Sequence, residues 1–107
     1  MNEPQSDRPL VLVPARRLDS STAPDFQREL LERIDQGANA VLLDFSAVDY
    51  ISSGGLRVIL MAGKRLKATG GRLALCGMSD DCREVFRISG FDTMFLLYRS
   101  VDEGLGG

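Results

Sequence analysis

The chain of 107 residues predicts a small, single-domain α/β fold: a mixed, mostly parallel central sheet of roughly four to five strands, with helices mainly on one face. Three observations predict it. Extended and helical patterns alternate in the order strand, helix, strand, helix, strand, helix, strand. Helices are the only long connections between the later strands, and a crossover through a helix returns the chain parallel to its start. Finally, Ala40 to Phe45 is a continuous apolar stretch broken only by Asp44, the pattern of a strand covered on both sides, which makes it the central strand.

Each element has its own local reason. Pro9 to Val13 reads as a short extended run leading into ARRLDSSTAPDF, where Thr22 is placed to cap a helix carrying Pro24 and Asp25 in its first turn. That helix begins near Ala23. Ala23, Phe26, Leu30 and Ile34 recur at spacings of three and four, so they share one buried face, and Gly37 follows as the stop. After the central strand and the loop SAVDYI, the segment SSGGLRVILMAGKRLKATGG carries a helical stripe of Leu56, Ile59, Leu60, Gly63 and Leu66. Lys64, Arg65 and Lys67 crowd its end, where cations oppose the helix dipole. Arg72 to Cys76 is expected to alternate as a strand. Ser79 with Asp80 and Asp81 supplies a cap and an acidic first turn for a helix ending at Gly90, and a last strand is expected from Thr93 to Tyr98. The closing SVDEGLGG has a capping serine, but its glycines each disfavour helix by ~1 kcal/mol relative to alanine. Residues 100–107 are therefore expected as a frayed turn, and residues 1–7 as loose.

Composition narrows the function. A domain of this length with 44% hydrophobic residues buries roughly 60 to 70% of the surface its unfolded form exposes, enough for a core without staples. The 13 basic and 15 acidic residues give a net charge of -2, which speaks against a nucleic-acid partner. MNEPQSDRP is polar and acidic where a secretory signal is basic and then apolar, and no apolar run approaches the ~18 residues of a membrane span. A cytoplasmic location is the expectation. Cys76 and Cys82 lie outside any CxxC pair and the chain has no histidine, so a zinc site is excluded and two buried thiols are expected. With no long apolar edge strand and no heptad seam, the free chain is expected to be a monomer.

Catalysis finds little support. Without histidine there is no Ser-His or Cys-His nucleophile pair. Asp44 and Asp49 could approach the serines as a carboxylate pair or a magnesium site, but aspartates at strand ends and turns are common in α/β domains. Gly54, Gly55, Gly63 and Lys64 invite comparison with a phosphate-binding loop, yet Val58 stands five before Gly63 and Arg65 follows Lys64, so GxxxxGK[ST] is not met. No enzymatic activity, cofactor or metal is expected.

What remains is DFSAVDYISSGGLRVIL, in which a strand-end loop delivers Ser52 and Ser53, with two glycines, onto the start of an amphipathic helix. Capping alone would explain one serine. The stretch closely resembles the signature of the STAS domain family, particularly the anti-sigma factor antagonists of bacterial partner-switching systems. The likeness runs from Leu10 to Tyr98 through RRLDSSTAPDF, VLLDFSAVDYISSGGLRVIL, GGRLALCGMS and EVFRISGFD, in the family order. It implies that the serine two residues before the GL pair, Ser53, is phosphorylated by a partner kinase. Ser52 stands where many antagonists carry aspartate and is a second candidate. Gly54 replaces the serine, alanine or threonine common there, and Ala15 a frequent glycine.

The resemblance also implies partners: an anti-sigma factor that is a serine kinase of the histidine-kinase-like ATPase type, holding the ATP itself, and a PP2C-type serine phosphatase. With the core stripe turned inward, Arg57, Met61 and Lys64 come out along the opposite side as a docking stripe. Asp19, Ser20, Ser52, Gly54 and Gly55 complete the expected partner-binding set. The alternative that the resemblance carries is an unphosphorylated accessory subunit of a membrane transport complex.

Overall fold

In the computed structural model, which describes residues 9–106, the strands form two separate parallel sets. The residues expected to be loose lie outside the described ones. Strands β1 (Leu10–Leu12), β3 (Ala40–Asp44), β5 (Arg72–Cys76) and β6 (Leu96–Tyr98) make one sheet in the order β1-β3-β5-β6. Strands β2 (Arg17–Leu18) and β4 (Tyr50–Ile51) form a small ribbon of their own. The mostly parallel sheet expected from the sequence is observed: every strand pair among the described residues is parallel, because every return path between paired strands runs through a helix. β4 lies within the segment read as a loop.

Register explains how the two faces differ. Leu42 of β3 stands opposite Val11 and Ala74, and the pleat sends it to one side while Val41 and Leu43 go to the other with Leu73 and Leu75. The second side is the main core, covered by helices α1 (Ala23–Asp35), α2 (Ser53–Ala68) and α3 (Asp80–Ser89). On the far side Leu42, Ala74 and Cys76 are covered by Val101 of a last short helix, α4 (Val101–Gly104), with Val11 and Tyr98 beside them. Coverage on both faces is why β5 is buried from Leu73 through Cys76 instead of alternating with solvent.

α1 buries the expected Ala23, Phe26, Leu30 and Ile34, and Gly37 follows its end. Its cap differs from expectation. Thr22 turns its hydroxyl back to donate to the Arg17 carbonyl at 2.6 Å and accept from the Asp19 amide at 3.0 Å, so it does not cap the helix. α2 presents a wider buried arc than the predicted stripe. Val58 and Ala62 are buried with Leu56, Ile59 and Leu66, while Leu60 is only half-buried, because α2 packs against α1 on one flank and β5 on the other. α3 follows its sequence signals: the Ser79 hydroxyl accepts from the Cys82 amide at 3.2 Å, and Gly90, at φ 82°, takes the left-handed conformation that ends the helix.

The last strand begins three residues later than expected. Phe91–Thr93 forms a 3-10 turn, closed by the Thr93 hydroxyl donating to the Gly90 carbonyl at 2.8 Å, and β6 starts at Leu96. The turn serves packing: Phe45, Phe86, Phe91 and Phe95 meet edge-to-face in sequence, with ring centroids 6.1 Å apart at each step. The closing segment, expected as a frayed turn, contains the α4 turn. The Ser100 hydroxyl accepts from the Glu103 amide at 3.2 Å while the Glu103 carboxylate accepts from the Arg99 amide at 2.6 Å. Gly104 lets it lie on the sheet, since a Cβ there would stand 2.7 Å from Leu42 Cδ2. Both cysteines are buried free thiols, and burial first, then the Asp44 carboxylate, pushes Cys76 up to about 11. No helix among the described residues is long and apolar enough to cross a membrane.

Candidate functional site at the start of the second helix

The β2–β4 ribbon sets the site. Leu18 pairs with Ile51 in parallel register, so both strands end at one level and release Asp19–Thr22 and Ser52–Ser53 side by side. The Ser52 amide donates to the Leu18 carbonyl at 2.8 Å, fastening the second loop to the first. On the outside, Arg16 Nε donates to Asp49 at 3.0 Å and the Arg17 guanidinium lies 4.6 Å over the Tyr50 ring.

The two serines have separate positions. Ser52, half-buried and extended at φ -95° and ψ 173°, is the cap of α2: its hydroxyl accepts from the Gly55 amide at 3.3 Å and its carbonyl from the Leu56 amide at 3.0 Å. Ser53 is the first helical residue, is exposed, and its hydroxyl makes no hydrogen bond among the described residues. Gly55 is buried where the helix start abuts the ribbon. A Cβ on it would stand 2.9 Å from Ile51 Cγ1 and 3.0 Å from the Leu18 carbonyl oxygen, whereas one on Gly54 would meet only Ser52 Oγ, at 3.5 Å. The Gly54 departure from the family pattern is therefore sterically indifferent.

Asp19 is committed to its own loop. Its Oδ1 accepts from the Ser21 hydroxyl at 2.7 Å, the Ser21 amide at 3.0 Å and the Thr22 amide at 3.3 Å. The Ser21 hydroxyl foremost, with these amides and Arg17, holds the carboxyl down at about 2. Ser20 is exposed and lies at the mouth of an open groove of about 800 Å³ between α1 and α2.

That groove gathers Ser20, Gly54, Arg57 and Met61 from the expected partner-binding set. Arg57 is exposed, and Met61 is half-buried against the core. Lys64 is exposed on α2 but does not line the groove, so the expected stripe divides after Met61. Sequence reading missed the facing wall, Pro24, Gln27, Arg28 and Leu31 of α1. One signal pointed to it: Leu31 is a large apolar residue off the core stripe of its own helix. Among the described residues no group of three or more histidine, cysteine or acidic side chains is arranged to hold a metal.

The comparisons with known proteins agree with this architecture. The family model described as the STAS domain matches residues 1–104. BtrV of Bordetella bronchiseptica, named as a candidate anti-sigma factor antagonist, is 44% identical over 78 residues, covering 73% of this chain and 67% of that protein. The crystal structure of a candidate anti-sigma factor antagonist from Thermotoga maritima superposes with a TM-score of 0.86 at 25% identity, over 90% of this chain and 83% of that one. The phosphorylated form of the Bacillus cell fate determinant SpoIIAA matches in fold, with a TM-score of 0.74 at 23% identity over 97% of this chain and 94% of that one. Parallel sheet, a serine pair whose first member caps α2, and family match converge, and the chain belongs to the STAS domain family.

Proposed function

We propose that this chain is a cytoplasmic anti-sigma factor antagonist, a single-domain binding partner and not an enzyme, whose unphosphorylated form binds a serine-kinase anti-sigma factor and releases its client. Phosphorylation at Ser53 ends that complex, and a PP2C-type phosphatase restores it. The relatives named as candidate antagonists support the first part. The observation that carries the second is the division of labour between neighbouring serines: Ser52 caps α2, and Ser53 keeps an exposed hydroxyl for modification.

The physics of the switch follows from that position. A phosphate on the first residue of α2 meets the positive end of the helix dipole, so it does not unfold the domain. It must act at an interface. A phosphate adds about -1.5 to -2 charges, and trapped unpaired in a contact built around a neutral hydroxyl it costs roughly 3 to 5 kcal/mol, about a hundred- to a few thousandfold in affinity.

Intact-mass and site-mapped phosphorylation with ATP and the candidate anti-sigma kinase tests the reading on wild type, Ser52→Ala and Ser53→Ala. One phosphate on wild type and Ser52→Ala, with none on Ser53→Ala, is the expected pattern. No phosphate on any form while a stable complex persists would instead favour an unswitched accessory subunit.

A further inference from the structure

We infer that the groove between α1 and α2 receives an amphipathic helix of the anti-sigma partner, one that carries a carboxylate opposite Arg57 and a cation opposite Glu32. The inference rests on the proposed function for the identity of the partner and adds a second contact surface to it. α1 and α2 run side by side in one direction: Ser20, Pro24 and Gly54 line one end of the groove between them, and Arg65 donates to Asp35 at 3.3 Å at the other. Its apolar lining is made by Ala23, Leu31, Val58 and Met61. Thirteen residues of α1 make a channel about 20 Å long, which suits three to four turns of helix.

Charge selects the occupant. Of the charged side chains lining the groove, Arg28 is held by Asp25 at 2.7 Å and Asp35 by Arg65, so these are neutralised locally. Arg57 and Glu32 are exposed and have no ion-pair partner among the described residues. Measured from the two helix starts, they lie about 8 Å apart along the groove, or about five residues of a docked helix. The unpaired cation stands one turn from Ser53 and the unpaired carboxylate stands farther in. A docked helix therefore presents its acidic end beside Ser53. A phosphate there faces that carboxylate as a like charge, which couples modification to release along the whole groove.

The test uses the candidate anti-sigma kinase, titrated calorimetrically with the unmodified full chain and assayed for phosphate transfer to Ser53. Leu31→Asp and Gln27→Trp alter the α1 wall, Arg57→Glu and Glu32→Lys reverse the free charges, and Glu29→Lys, an exposed α1 residue that does not line the groove, is the control. Expected losses of affinity are about tenfold or more for Leu31→Asp, Gln27→Trp and Arg57→Glu, about threefold for Glu32→Lys, and none for the control. Gln27→Trp starts from an exposed position, so the α1 wall remains testable if Leu31→Asp melts early. Wild-type affinity in both α1 variants, with Ser53 still phosphorylated, overturns the groove and leaves the proposed function standing. A wild-type chain that neither binds nor accepts phosphate overturns that function, and the inference falls with it. A dimer of this chain that Gln27→Trp dissolves without changing kinase affinity assigns the groove to a second copy and also overturns the inference.

Discussion

Helices α2 and α3 begin with the same device and differ one residue later. Each has an extended serine whose hydroxyl accepts from the amide three residues on, Ser52 from Gly55 at 3.3 Å and Ser79 from Cys82 at 3.2 Å. α3 continues with Asp80 and Asp81, which complement the dipole, and Cys82, which is buried. α2 continues with Ser53 and two glycines and has no acidic residue in its first turn. The cap therefore does not mark a functional helix start. What sets the α2 start apart is the absence of the usual anions from its first turn, beside the exposed Ser53 where we propose that a charge is added, and the close packing of Gly55 against the ribbon.

Gly55→Ala is expected to have the largest effect on this contrast. Its Cβ would stand 2.9 Å from Ile51 and 3.0 Å from the Leu18 carbonyl oxygen, so stability should fall by about 1–3 kcal/mol in chemical denaturation. Gly54→Ala, with its nearest contact at 3.5 Å, should be neutral or slightly stabilising. Equal losses would show that the glycines serve backbone conformation and not close packing. Next come the caps: Ser52→Ala and Ser79→Ala should each cost ~1 kcal/mol, since their geometries match. A loss at Ser79 alone would remove Ser52 from the capping role and reopen it as a modification site.

The charge contrast is smaller and has opposite signs. Asp80→Asn should destabilise by about 0.3–1 kcal/mol, while Ser53→Asp should stabilise by a similar amount, because it supplies the anion that α2 lacks. The smallest effect belongs to Asp19. Its carboxyl is held at about 2, below its ordinary 3.8, so its contribution to stability is complete above the ordinary value and is lost as pH falls through about 2. Denaturation of Asp19→Asn between pH 2 and 5, on the order of these two values, should show a flatter acid limb than wild type.

Much of this molecule was legible because local signals and tertiary packing agree. The α1 stripe, the Ser79 cap with Gly90 and the apolar run of β3 each satisfied one reading only. Ambiguity arose where several residues could do one job: in DSST four neighbours can all bond the backbone, and the structure uses Asp19 for the turn while Thr22 bonds backward. The β2–β4 ribbon has two residues per strand, too short for any periodicity to register. The buried arc of α2 is wider than its stripe because Val58 and Ala62 are buried where α2 packs on a neighbouring helix, which spacing along one helix does not reveal. The same blindness hid the α1 wall of the groove. Ser53, by contrast, is singled out by the family resemblance, since the serine pair and its glycines by themselves are explained by capping, and it lies exposed beside the cap.

The central claim is that modification of Ser53 acts on an interface and leaves the fold intact. Side-by-side measurement of thermal midpoint and partner affinity on unmodified and Ser53-phosphorylated chain tests it most directly. A midpoint that does not fall, and rises by no more than about 8 °C, with affinity reduced about a hundredfold or more, is the predicted result. A phosphorylated chain that melts far lower, or that binds its partner as tightly as the unmodified one, would contradict the claim.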